Sequence, residues 1–281
     1  MVSGTSIAAM CLTLAVSLLL PIVLLIVYAV THRGKKVVSA WFLGAAGFFV
    51  MQVLLRLPIL SVLGLLPGFQ SFAMEHYVIY ALILAFTAGL FEVIGRYVVA
   101  RILHKELTFH RGIAAGLGHG GIEAMVLIGT TYINNLVYSV MINSGTFDTI
   151  VSQTAALGVD TSSLISAKEA LITTPAALFC LAGYERILTM LCHTAMTLIV
   201  FYFVYKKQDI KGILICLASH TLLDGVSALL NGASTVYMGE ILSQTTAYVL
   251  VYLFLTLMAA AAIVIIYKIS RIFTSEPQCR Q

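Results

Sequence analysis

Charge is the scarcest commodity in this sequence. Asp, Glu, Lys and Arg together make up 10% of the 281 residues, while A, V, I, L, M, F, W, Y and C account for 60%. Soluble domains carry about a quarter charged residues, so a soluble enzyme and a disordered chain are both excluded. A mean hydropathy of +1.01 makes lipid the solvent. Cysteine is also sparse: Cys11, Cys180, Cys192, Cys216 and Cys279 lie far apart with no CxxC pair. A zinc knuckle, a thiol redox motif and a secreted disulfide scaffold are thereby excluded. The formal net charge of +4 does not point to nucleic acid, because the few basic residues sit between apolar segments, where they report topology. Residues 1–10 contain no Lys or Arg and the apolar run continues to Val30, so the first segment is expected to be a retained helix rather than a cleaved signal peptide.

What is present in abundance is the long apolar run. Stretches of eighteen or more such residues recur, each enough to cross a hydrocarbon core of about 30 Å as a helix. Polar punctuation divides them into seven spans, at 7–30, 37–58, 76–100, 112–141, 176–204, 212–230 and 243–267. The expected fold is all-α, a polytopic membrane helical bundle. With no internal repeat and no linker, a single integral membrane domain over 1–281 is predicted. Its polar residues concentrate in a core at 80–230, and its longest connection, 142–174, reads as an outer loop with room for a short helix. Arg33, Lys35, Lys36, Arg101, Lys105, Arg111, Lys206, Lys207, Lys211, Lys268, Arg271 and Arg280 follow the odd-numbered spans. The other connections and the N-terminus hold only Lys168. By the positive-inside rule the N-terminus is expected outside and the C-terminus in the cytosol.

Inside the spans stand residues that lipid disfavours. A charged residue at the bilayer centre costs roughly 2.5–3.5 kcal/mol, so Glu92, Arg96, Glu123, Arg186 and Asp224 require partners. Their spacing supplies them. Glu92 and Arg96, His119 and Glu123, and His220 and Asp224 are each four apart, while Glu185 and His193 are eight apart. Each set therefore faces one side of its helix. Counted from the nearest cytosolic charge at 1.5 Å per residue, Glu92, His119, His193 and His220 all lie roughly 12–20 Å deep. Three imidazoles and up to three carboxylates at one depth suit a divalent metal, with zinc the natural choice. In that arrangement Glu92, held by Arg96, activates a water. Helix-to-helix hydrogen bonds and ion pairs that only hold a bundle together would use the same residue types. Two features stay open: Gly116, Gly118, Gly120 and Gly121 around His119 admit either a neighbouring helix or a substrate chain, and Arg56, near the outer end of its span, is expected to snorkel.

The phrases Phe91-Glu92-Val93-Ile94-Gly95-Arg96, Gly116-Leu117-Gly118-His119-Gly120-Gly121-Ile122-Glu123, and Glu185-Arg186-Ile187-Leu188 leading to His193, with His220-x-x-x-Asp224, resemble the YhfC family of intramembrane metalloproteases. That family sits within the wider group of type II CAAX prenyl proteases and bacteriocin-processing enzymes. The resemblance covers residues 80–230. It implies a metal-dependent peptidase in a bacterial plasma membrane, acting on a membrane-associated peptide or protein. Glu92 is then the general base; His119, His193 and His220 are metal or transition-state ligands; Arg96, Glu123 and Asp224 belong to the catalytic set; and Glu185 and Arg186 support it. Phe91 replaces the second Glu of the CAAX proteases and Ala115 the Phe of their FxxxH motif, as in YhfC itself.

Two other classes use similar residues. A non-catalytic scaffold or immunity-type protein would keep the polar layer for packing. A proton- or cation-coupled transporter would use it as a relay, yet neither inverted repeats nor Gly- or Pro-broken mid-helices stand out.

Overall fold

The computed structural model describes residues 1–235 and 241–275. Arg280, and residues 236–240 of the 231–242 connection, lie outside the described residues. The helices are α1 (Gly4–Thr31), α2 (Val37–Leu63), α3 (Pro67–Glu75), α4 (Tyr77–Ile102), α5 (Phe109–Ser144), α6 (Thr146–Ala156), α7 (Ser162–Thr173), α8 (Ala176–Tyr205), α9 (Asp209–Thr235) and α10 (Gln244–Ser275). No strand occurs among the described residues. Seven of these helices, α1, α2, α4, α5, α8, α9 and α10, are long and apolar enough to cross a membrane. They coincide with the seven expected spans and run a few residues further at most ends. The 142–174 connection, read as a loop with room for a short helix, holds two helices, α6 and α7. Its Ser, Thr and Asp content, which reads as loop, is compatible with short amphipathic turns.

Two helices contain a π-wound stretch, Phe49–Arg56 within α2 and Ala124–Gly129 within α5. In α2 the Leu57 N–H bonds the Gln52 carbonyl, an i to i−5 link. Pro58 follows directly. Proline has no N–H and its ring collides with the carbonyl four residues back in a regular helix, and the wider turn accommodates it.

The chain divides into two compact units. One comprises Met1–Val23 and Ala124–Ile187. Its core gathers Met10, Tyr132, Phe147, Leu171 and Phe179. The Thr13 hydroxyl donates to the Phe179 carbonyl at 2.6 Å, and Asn143 brackets the Val2 backbone from both sides. Arg186 pairs with Glu185 in this unit.

The other comprises Leu24–Glu123 and Leu188–Gln281. Here α2 and α5 cross at backbone contact. A Cβ on Gly44 would stand 1.9 Å from the Ala115 carbonyl oxygen, and one on Gly118 would stand 2.0 Å from that of Trp41. On the opposite side of α5, Gly116 meets the Thr194 Cα and Gly120 the Met190 Cα of α8. The glycine run around His119 is therefore filled by neighbouring helices. Such small-residue crossings drive helix association in lipid, where apolar burial offers no advantage. Large apolar side chains such as Phe42, Leu54, Val98 and Leu257 accordingly face outward, while Glu92, Arg96, His119 and His220 are buried.

At the membrane boundary of this unit, Glu106 ties α2 to the start of α5 by accepting from Lys36 at 2.6 Å and from Arg111. These two cations hold its carboxyl below the ordinary glutamate value, Lys36 more strongly. A depressed carboxyl stabilises the fold above its unfolded pKa and loses that contribution as pH falls through the folded one. The melting temperature of the wild type should thus exceed that of Glu106→Gln at pH 7. The gap should close below about pH 4.3 and narrow in high salt. A pH-independent gap would contradict the electrostatic account.

Candidate metal centre

Four helices of the second unit bring polar side chains to a single buried position. Glu92 and Arg96 come from α4, His119 and Glu123 from α5, His193 from α8, and His220 and Asp224 from α9. The first six are between 1% and 9% exposed, which removes them from bulk solvent. Asp224 differs, its side chain being 39% exposed.

Glu92 Oε2 is the hub. It lies 2.9 Å from His119 Nε2, 2.8 Å from His220 Nε2, 3.1 Å from Arg96 Nη2 and 3.6 Å from His193 Nδ1. The i to i+4 pairing of Glu92 with Arg96, expected from spacing, is present. The other oxygen, Oε1, accepts from Gln52 Nε2 at 2.6 Å. His193 sits between the two carboxylates, its Nε2 2.7 Å from Glu123 Oε2. His220 turns its second nitrogen to Asp224 Oδ2 at 3.3 Å. The rings of His119 and His193 stack at 5.4 Å, those of His193 and His220 lie 5.5 Å apart, and Phe48 abuts His119 edge-on at 5.2 Å.

Arg96 settles one tautomer. Its Nη2 is 2.6 Å from His193 Nδ1, and a guanidinium only donates, so Nδ1 accepts and the ring proton resides on Nε2, the nitrogen that faces Glu123 Oε2 at 2.7 Å. Arg96 Nε and Nη1, buried in the same place, have no hydrogen-bond partner among the described residues.

The donor set fits a divalent cation in type and compactness. One atom each from Glu92, His119, Glu123 and His193 lie within 4.8 Å of one another. Imidazole nitrogen with carboxylate oxygen is the chemistry that zinc and its neighbours select. A cation at His193 Nε2 would need the ring proton on Nδ1 and Arg96 Nη2 swung from it toward Glu92 Oε2, which already lies 3.1 Å away. His220 lies outside this compact group, with both nitrogens turned to carboxylates. Glu185 and Arg186 belong to the other unit.

Two residues near Glu92 were not expected there: Gln52 carries no charge to mark it, and Arg56 reads as a snorkelling residue at the outer end of its span. Gln52 is neutral and lies in the π-wound part of α2; its sole mark is being an amide in an apolar run. Arg56 does not snorkel. It donates to the Leu84 carbonyl at 2.8 Å, to the Thr87 hydroxyl at 3.3 Å and to Gln52 Oε1 at 3.3 Å.

The family model of the YhfC intramembrane metalloprotease matches residues 16–266. The chain is also 30% identical over 274 residues, 97% of its own length and 100% of the relative's, to a protein of Bacillus subtilis (strain 168) titled uncharacterized membrane protein YhfC. No solved structure matches it. Seven apolar helices and a buried cluster of histidines and glutamates agree with that match, and the chain is a multi-pass membrane protein that belongs to the YhfC intramembrane metalloprotease family.

Proposed function

We propose that this chain is an intramembrane endopeptidase that uses a divalent metal, zinc by preference, to hydrolyse a peptide bond of a membrane-associated peptide or protein in or near the bilayer. The observation that carries the reading is the buried group of Glu92, His119, Glu123 and His193, four donors within 4.8 Å on three helices. Two histidines and one carboxylate are a recurrent ligand set of catalytic zinc, which keeps a further position open. His119, His193 and Glu123 fill that role here, and Glu92 is left as the base. This assignment takes His220 out of the expected histidine trio, because it lies outside the compact group of donors.

A cation held there supplies Lewis acidity, polarising the scissile carbonyl and easing deprotonation of water. The chain's own residues do the rest. Glu92 Oε2 takes a proton from the attacking water, and the hydroxide oxygen forms the new bond to the carbonyl carbon. Arg96, 3.1 Å from that carboxylate, offsets its charge. His220 Nε2, 2.8 Å from Glu92 with Asp224 behind it, relays the proton to the departing amine as the C–N bond breaks. Exclusion of bulk water strengthens each of these interactions. The lysine and arginine distribution supports a cytosolic C-terminus in a bacterial plasma membrane, with the site nearer the cytosolic face.

Elemental analysis of the detergent-solubilised protein tests the reading without a substrate. Close to one zinc per chain is expected in the wild type, and little in a folded His119→Ala/His193→Ala variant. No metal in the wild type after zinc reconstitution would rule it out and leave the polar layer as packing glue.

A further inference from the structure

We infer that Gln52 and Arg56 are positioning residues for Glu92, clamping one carboxylate oxygen so that the other is presented to the histidines. What the presentation serves rests on the peptidase reading; the contact itself does not. Gln52 is 6% exposed, and its Nε2 donates to Glu92 Oε1 at 2.6 Å. An amide can face either way, and here the direction is set by chemistry. Arg56 Nη1 lies 3.3 Å from Gln52 Oε1, and since a guanidinium only donates, the amide oxygen must face Arg56 and the NH2 must face Glu92. Arg56 is in turn fixed to α4 through the Leu84 carbonyl and the Thr87 hydroxyl.

The chain of donors therefore leaves α4 at Leu84, passes through two side chains of α2 and returns to α4 at Glu92, two turns further on. A loop closed at both ends on one helix resists rotation of the carboxylate about its terminal bond, which is otherwise soft. With Oε1 committed, Oε2 stays among His119, His193 and His220. The π-wound stretch Phe49–Arg56 contains both residues of α2, and such insertions recur at functional sites because they re-aim a side chain without ending the helix. Arginine and glutamine so placed would be poor choices for helix packing alone, since leucine at both positions would dispense with two buried polar groups.

Outer partners that orient a reacting group typically change activity 10–100-fold. The experiment compares wild type, Gln52→Leu and Arg56→Lys, measuring zinc binding by chelator competition and cleavage of pooled membrane-anchored fluorogenic peptides as a function of pH. Alongside it, melting temperatures of the metal-free wild type, Gln52→Leu, Glu92→Leu, which removes both carboxylate oxygens, and the double variant are recorded. We expect Gln52→Leu to lower cleavage about 10–100-fold and move its pH profile while zinc is still bound, Arg56→Lys to lower it less, and the two single melting shifts to combine non-additively. Wild-type cleavage with an unchanged pH profile in a folded Gln52→Leu protein would overturn the clamp and leave the peptidase reading standing. A wild type that binds no metal would overturn the peptidase reading, and the metal-free cycle then decides the clamp: additive shifts sink it, non-additive shifts uphold it.

Discussion

Replacing Glu92 with Gln is expected to lower peptide cleavage about 10²–10⁴-fold, the range that a general base contributes. The exchange keeps the shape and one acceptor oxygen, so contacts with Gln52 or Arg96 can persist, but it removes the basic oxygen on which two imidazole nitrogens converge at 2.8 and 2.9 Å. The fold should survive with a lowered melting temperature, because Arg96, with 0% of its side chain exposed, loses its carboxylate partner. Removing one member of a buried pair costs up to about 3–5 kcal/mol, and an isosteric amide should cost less. Cleavage of pooled membrane-anchored fluorogenic peptides in proteoliposomes is the readout, with a monodisperse elution profile as the check on folding. Wild-type rates in a folded Glu92→Gln protein would remove Glu92 from the role of base and move attention to Glu123.

The second large effect is structural and is predicted for Gly118→Ala. The added Cβ would lie 2.0 Å from the Trp41 carbonyl oxygen and 2.8 Å from its carbonyl carbon, both backbone atoms that no rotamer change can move. The crossing of α2 and α5 must open. Overpacking of this kind costs typically 1–3 kcal/mol and more where backbone is the obstacle. His119 is the next residue, so metal content should fall with the melting temperature. Gly4→Ala is the control, since nothing lies within 4 Å of the position its Cβ would take; its effect should stay within about 0.5 kcal/mol. Equal melting temperatures for Gly118→Ala and wild type would refute the close crossing.

The prediction for Gly118 also shows where the sequence stops speaking. A run of glycines announces a close approach, yet the same run admits a helix or a substrate chain, and the choice is made by Trp41 and Thr194, which lie far away in sequence. The 142–174 connection was legible only in part: a short helix was allowed for, but not that two form, α6 and α7, because short helices without a long apolar run have no length signature.

What the sequence by itself determined is whatever the bilayer enforces locally. Lipid demands about twenty apolar residues per crossing, so seven spans could be counted; it penalises every intramembrane charge, so Glu92, Arg96, His119, Glu123, His193, His220 and Asp224 stood out; and a helical repeat of four residues put Glu92 beside Arg96. Only the tertiary structure decided how those stripes meet. It made Glu92 Oε2 the shared acceptor, brought His193 beside Glu123, and drew Gln52 and Arg56 onto Glu92. The reason is that a pairing between helices depends on their rotation and crossing, set here by glycine contacts and a π-wound turn, and neither leaves a periodic mark along the chain.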